Sequence, residues 1–260
     1  MKYPFWQPLA WPIFRPIFLM IPLVLAPTVQ AAECQLTAIG SGIVASVRDA
    51  RTLMLADGRE VRLLGIEAGG EGEALRRLVT GQTLQLALPA GADGKIDRYG
   101  RLAAFAFLPE AQESVQMRLV AEGAARVAAR AGGRLCAEPL LAAERAARAA
   151  RRGLWADPNF APLAAENLAG LGAMRGHFAL VEGRVLSVRE SGATIYVNFG
   201  RRWTRDFTVV ILKRQKRTFA AAGIDTDTLQ GRRIRVRGVI EQRGGPVIEA
   251  TVPEQIEPAD

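Results

Sequence analysis

Two short runs hold most of the side chains in this chain that could do chemistry. VRLLGIE spans residues 61–67 and DRYGR spans residues 97–101. Each sets an arginine beside an acid at the end of an expected strand or turn. An arginine carries a rigid, permanently charged fork that matches phosphate oxygens, so Arg62 and Arg101 could grip one phosphate from two sides. A third run, VRDARTL at residues 47–53, brings Asp49 and Arg51 towards the same neighbourhood. Other common chemistries lack their parts. The single histidine, His177, leaves no Ser-His-Asp or Cys-His constellation, and no glycine-rich phosphate loop precedes a helix. Two cysteines and one distant histidine do not make a clustered zinc site.

The elements that must position these residues are β-rich. Residues 43–47, 52–55 and 60–66 alternate in polarity, and Ala56-Asp57-Gly58 between the last two is a hairpin turn. A helix is expected over 73–80, stopped by Gly81, with strands over 82–88 and 102–108. Helical periodicity follows over 113–123 and 139–152, and Gly153 ends the second stretch. Trp155 is expected to plug the core where the last helix docks. This order predicts an α+β fold: an OB-type β-barrel with appended helices, occupying residues 36–157. Residues 158–175 are rich in Ala, Pro and Gly and read as a linker. Strands over 178–188, 194–199, 207–212, 234–240 and 247–251, with a helix over 214–222, predict a second, smaller OB-like barrel over 176–258.

Before these domains, residues 1–31 carry two basic residues, no acid, an apolar run from Pro16 to Ala26, and small residues at Val29-Gln30-Ala31. They read as a cleaved signal peptide. Pro16, Pro22 and Pro27 disfavour a spanning helix, so no stable membrane span is expected after cleavage. Glu33 before Cys34 argues against a lipid-modified cysteine. The expected destination is therefore periplasmic or secreted, where Cys34 and Cys136 are candidates for a disulfide. Closing a loop of roughly 100 residues could add about 4–5 kcal/mol in the chain-entropy model.

The order V-x-D-x-x-T, V-R-L-L-G-I-E, D-R-Y-G-R and a final helix ending G-L-W resembles the thermonuclease family, the staphylococcal-nuclease-like domains, over roughly residues 40–157. The arrangement G-R-R-x-R-V-R-G-V-I-E with a closing P-E-Q-I-E resembles a C-terminal extension on some exported bacterial members. The resemblance implies a Ca²⁺-dependent phosphodiesterase with hard oxygen ligands for the ion and charged donors on the phosphate. It places phosphate contacts at Arg62, Arg98, Tyr99 and Arg101, and metal ligands at Asp49 and Glu67. A further metal position falls on Arg51. The catalytic base falls on Gly70, with Glu71 one residue on as the substitute, so the catalytic set reads Arg62, Arg101 and Glu71. The aromatic pair that stacks on the nucleoside falls near Ala129 and Ala131.

Three functions remain open on these residues. The first is an exported protein that binds nucleic acid, single-stranded or flexible, or another polyanion, with hydrolysis lost or weak and no cofactor needed. The second is an active nuclease using Ca²⁺ on DNA or RNA. The third is an envelope scaffold with no nucleic-acid role. The net charge of +8, nearly all from arginine, favours a polyanionic partner modestly, because a GC-rich coding sequence also enriches Arg and Ala. Arg201, Arg202, Arg205, Lys213, Arg214, Lys216 and Arg217, beside Phe199 and Trp203, form a second basic cluster. It reads as a solvated loop and helix start with Trp203 as a core lid, ahead of a single-strand-binding surface.

Overall fold

Alternation along the first strands sends Leu53, Leu55, Val61 and Leu63 to one side, where all are buried, and leaves Arg62 on the other. That pattern seeds a barrel. In the computed structural model, which describes residues 1–2, 34–90, 92, 94, 96–130 and 132–259, the first domain runs β1 (Leu36–Asp49), β2 (Thr52–Leu55), β3 (Glu60–Leu63) and β4 (Ile66–Ala68). It continues through α1 (Glu73–Val79), β5 (Thr83–Pro89), β6 (Arg101–Phe107), α2 (Val115–Ala121), β7 (Ala125–Val127) and α3 (Arg134–Ala149). All but the first two residues of the expected leader lie outside the described residues, as does Ala131. No described helix is long and apolar enough to cross a membrane.

The barrel closes in the order β1-β2-β3-β6-β5. Closure depends on β1 being far longer than its alternating core at 43–47. Its first half pairs with β5 and its second half with β2, with register shifts at 38/40, 44/46 and 47/49 that bend it round the corner. The β2–β3 hairpin turns at Asp57-Gly58, where Gly58 has φ +86° and the Asp57 carboxylate accepts the Arg59 backbone N–H at 3.0 Å. β3 and β6 run parallel, with Glu60 opposite Arg101 and Arg62 opposite Ala103. α2 starts at Ser114, whose hydroxyl accepts the Met117 N–H at 3.1 Å. It buries Leu119 and Val120 against the barrel core.

α3 starts at Arg134, ahead of the expected 139, with Pro139 inside its second turn. The earlier start puts Cys136, Ala137, Leu140 and Leu141 on the buried face. Cys136 is bonded to Cys34 at a Cα–Cα separation of 4.6 Å, tying the start of the described barrel to this helix.

The rest of the chain adds β8 (Leu163–Ala164), α4 (Leu168–Ala173), β9 (Phe178–Arg184), β10 (Ser187–Ser191), β11 (Thr194–Asn198), β12 (Thr208–Leu212) and α5 (Lys216–Ala221). It ends with β13 (Arg233–Val239), β14 (Glu241–Arg243), β15 (Gly245–Glu249) and β16 (Ile256–Pro258). These strands form two sheets, β10-β11-β12-β15-β14 and β16-β13-β9-β8. The single strand expected over 178–188 is divided between them. At the crossing Val185 is buried, its N–H bonds the Arg232 carbonyl at 2.9 Å, and the next N–H bonds Asn198 at 2.8 Å. Both sheets face a core that includes Val181, Val197, Phe207, Phe219, Val236 and Ile248.

The stretch 158–175 is not a free linker. Its strand β8 pairs in parallel with β9, and Ala165 and Leu171 are buried in the core of the second unit. Trp155 is buried as expected, against Ala147 and Leu180, and so joins the two halves. Residues 33–260 accordingly form one compact unit.

The junction of barrel and sheets is ionic. Arg237 on β13 is 1% exposed. Its Nη2 donates to Glu144 at 2.7 Å and to Glu257 at 3.1 Å, and its Nη1 donates to the Val127 carbonyl at 3.0 Å. The fully buried Glu144 also accepts the Val127 N–H at 2.8 Å. Thus two side chains from α3 and β13 satisfy both backbone groups at the end of β7. Removing one member of a buried pair strands the other charge, at a cost of about 3–5 kcal/mol. Arg237→Ala is therefore expected to lower the unfolding free energy by about that amount in urea denaturation. A loss from Arg237→Ala within about 0.5 kcal/mol of zero, the range of ordinary surface changes, would show that the network does not hold the junction.

Candidate functional site

The barrel wall sets the arginines out by register. Val61 and Leu63 point into the core, so Glu60 and Arg62 point out along β3. Arg101 opens β6 directly opposite Glu60, which makes it the diagonal neighbour of Arg62 on the same outer face. β1 ends at Asp49, whose Oδ1 accepts the Arg51 backbone N–H at 2.8 Å and fixes the tight turn into β2. The Arg51 carbonyl then accepts the Leu63 N–H at 2.8 Å, bringing that turn against β3. β4 follows at once and contributes Glu67.

The electrostatics confirm the gathering. Burial, then the charges of Arg51 and Arg101, pull the Arg62 pKa down, while Glu67 and Asp49 oppose the shift. No hydrogen bond is among the influences on Arg62, so its fork carries charge and donors that no described side chain consumes. Arg101 is held differently. Its Nε and Nη2 reach the Asp97 carboxylate at 2.9 and 2.8 Å, and Asp97 raises its pKa. Asp97 also accepts the backbone N–H groups of Tyr99 at 2.8 Å and Arg101 at 3.0 Å, closing the DRYGR loop on itself. The Tyr99 ring is 62% exposed and lies between two guanidiniums, 4.8 Å from Arg98 and 4.9 Å from Arg101 to its centroid.

The remaining expected positions fare differently. Arg51 Nη1 forms an ion pair with Glu67 and also donates to the Ile66 carbonyl at 3.2 Å. The resemblance asks for two carboxylates here, and a cation bound to a carboxylate stands in their place. Among the described residues no three His, Cys, Asp or Glu side chains stand close enough to hold a metal ion. Calcium needs several oxygen ligands, and these residues do not fit it.

Glu71 is exposed on the loop Gly69-Gly70-Glu71-Gly72. It lines a cavity of about 400 Å³ with Glu73 and Arg77 of α1 and with Glu122 after α2. Asp49, Arg51, Glu67 and Arg101 gather around Arg62, and Glu71 is not among the charges that act on it. Gly72 has φ +78°, and a Cβ there would sit 2.8 Å from the Asp49 carbonyl, so the loop is packed onto the end of β1.

Asp97, the acid of the DRYGR run, stands at i, i+4 spacing across the turn from its partner Arg101. One residue escaped sequence reasoning. Arg126 faces Glu67 in the β4–β7 ladder and stacks on Phe160 at 5.5 Å and Phe178 at 5.1 Å. Burial foremost lowers its pKa, against the pull of Glu144 and Glu67.

Arg101 and the turn N–H groups hold the Asp97 carboxyl at about 2, below its ordinary 3.8. A depressed acid stabilises the fold above its ordinary value and loses that contribution as pH falls through the folded one. The loop is therefore expected to loosen between about pH 4 and pH 2. An NMR titration of the Asp97 carboxyl should show the low midpoint, and Arg101→Gln should move it up towards 3.8. Equal midpoints in the two proteins would show that Arg101 is not the cause.

Residues 71–157 match the family described as Staphylococcal nuclease homologue. No curated protein matches the chain. The matched segment holds the DRYGR loop, β6 and the α2–α3 layer. It begins just after the strands that carry Asp49, Arg62 and Glu67; β1 and β3, which carry the first two, belong to the same closed barrel as β6, while β4, which carries Glu67, pairs with β7. Residues 71–157, about a third of the chain, are therefore similar to the staphylococcal-nuclease family.

Proposed function

We propose that this protein is exported and binds nucleic acid, or a polyanion presenting phosphates in the same way, through Arg62 and Arg101, and that phosphodiester hydrolysis is lost or weak. One observation carries the reading. Arg62 keeps an uncommitted guanidinium beside Arg101, while Arg51 occupies Glu67 where the family's metal chemistry would need free carboxylates. An added cation near 4 Å repels a divalent ion by about 1–4 kcal/mol per unit charge, according to the effective dielectric, and a lost ligand adds to that. The anion half of the site has no such defect. Arg62 and Arg101 face one side of the barrel wall, with Tyr99 and Arg98 on its rim. The Cys34–Cys136 bond supports an oxidising compartment outside the cytosol.

The family is typically Ca²⁺-dependent. For this chain, wild-type protein is expected to retain single-stranded DNA in a salt-sensitive manner, with or without Ca²⁺, and to cleave it little or not at all. Arg62→Ala should weaken binding and lower the slope of log affinity against log salt by about 0.7, the contribution of one phosphate on a single strand. Arg51→Asp should release Glu67 and create measurable Ca²⁺ binding by calorimetry. Clear cleavage with Ca²⁺ or Mn²⁺ that Arg62→Ala abolishes would overturn the reading in favour of an active nuclease. Salt-insensitive retention, or none, would favour a scaffold.

A further inference from the structure

The second unit carries a surface groove that the barrel chemistry does not explain. β10 is the edge strand of its sheet and pairs only with β11. In that ladder Arg189 lies directly opposite Tyr196, and Ser187 directly opposite Asn198. Their neighbours Ile195 and Val197 are buried, so this row lies on the opposite face, with Arg189 and Tyr196 exposed and Asn198 buried at its end. Leu186, Arg189, Tyr196, Asn198, Arg201 and Trp203 line a groove of about 600 Å³ over this face. That volume lies within the range of ligand clefts, about 300–1,000 Å³.

Trp203 is presented to this groove rather than covering the core. It is 70% exposed, and Tyr196 is 36% exposed. Below the loop, Phe199 and Phe207 are buried with their ring centroids 5.0 Å apart, so Phe199 belongs to the core and not to the stacking surface. The Asp206 carboxylate accepts the Arg202 backbone N–H at 2.7 Å and closes the loop. A Cβ on Gly200 would fall 2.1 Å from that carboxylate, and one on Gly245 would fall 2.6 Å from the Asp206 carbonyl, so the loop is packed from both sides. A tryptophan held out by a braced loop loses little further freedom on binding.

The charge has one sign. No acid lines the groove, and neither Arg189 nor Arg201 pairs with a described acid. The other half of the basic cluster is spent within the fold. Lys213 and Lys216 both bind Glu190, at 3.0 and 2.8 Å, and Lys216 also binds Asp227 at 2.8 Å.

We infer that this groove is a second binding site, for single-stranded nucleic acid, with bases stacked on Trp203 and Tyr196 and phosphates met by Arg189 and Arg201. Exposed aromatic faces beside unpaired arginines suit a strand whose bases are free to stack. A duplex hides its base faces, and a sulfated polysaccharide has none. The site rests on the groove alone and stands whether or not the barrel arginines bind.

The test is anisotropy of a labelled oligothymidylate of about ten nucleotides, titrated with the whole chain already carrying Arg62→Ala and Arg101→Ala, so that the barrel site cannot contribute. In that background Trp203→Ala should weaken binding about 5- to 100-fold, and Trp203→Phe should restore most of it. Arg189→Ala and Arg201→Ala should each lower the salt slope by about 0.7. Heparin should compete, but its own affinity should not change with Trp203→Ala. The inference is overturned if Trp203→Ala leaves oligothymidylate binding unchanged, or if it weakens heparin equally. It is likewise overturned if the background protein binds no oligothymidylate.

Discussion

The buried pair of Arg237 and Glu144 is the constraint on which the rest of the molecule hangs. Glu144 takes the Val127 N–H and Arg237 takes the Val127 carbonyl, so the last residue of β7 is held by one side chain from each half. β7 pairs with β4, and Ile66 faces Val127 in that ladder. β4 in turn sets Glu67 against Arg51. A guanidinium from the second unit therefore fixes the strand pair that carries the acid of the barrel site. Arg237 has two carboxylates around it, Glu144 and Glu257. Burial works to lower its pKa, and these two acids outweigh burial and raise it. A desolvated charge matched by carboxylates gives little net stability, but its geometry admits few alternatives. Here that geometry turns two β-rich halves into one compact unit.

The same logic separates the two arginines that face the outer barrel wall. Arg101 is already satisfied by Asp97 through two nitrogens, and an incoming phosphate must compete with that carboxylate or bridge to the remaining Nη1. Arg62 has no such partner among the described residues, which makes it the stronger anchor of the proposed site. Arg51 is committed most deeply, to Glu67 and to a backbone carbonyl. Charge of both signs is thus present at the site, but its distribution is uneven. Glu67 is taken up by Arg51, Asp97 by Arg101 and Asp49 by the Arg51 backbone N–H, while Arg62 pairs with no described acid. A metal-dependent hydrolase needs the opposite arrangement, with carboxylates held unpaired until a metal arrives.

Much of this was legible in the residues. The alternation of 52–55 and 60–66 about Asp57-Gly58 gave the hairpin, because the pleat allows only one face to be buried. Arg62 and Arg101 stood out by their neighbours, and Cys34 with Cys136 by being the only pair. Three features were hidden for physical reasons. Arg237 lies in RRIRVRGV, where every second residue is basic, and only the depth of its partners distinguishes it from the exposed Arg233 on the same face. The division of 178–188 into β9 and β10 depends on which sheet each half meets, and local polarity does not record that. The exposure of Trp203 runs against the usual fate of a tryptophan, and it follows from Asp206 and the packed glycines around the loop rather than from its own neighbours.

The connection between the halves gives the two surfaces a common frame. β9 begins at Phe178, whose ring lies under Arg126 at 5.1 Å, one strand away from Glu67. It runs beside β13, which carries Arg237, and leaves its sheet at Val185. It then becomes β10, which carries Arg189 into the groove. One continuous stretch of chain therefore touches the barrel strands at one end and lines the groove at the other. Both ends are fixed by buried contacts, so neither surface needs to fold on binding, and the ordering cost that weakens flexible binders is already met in the free protein. α3, β7 and β13 brace the barrel without drawing on Asp49 or Glu67, so the proposed grip on a phosphate chain rests on a frame that is already rigid.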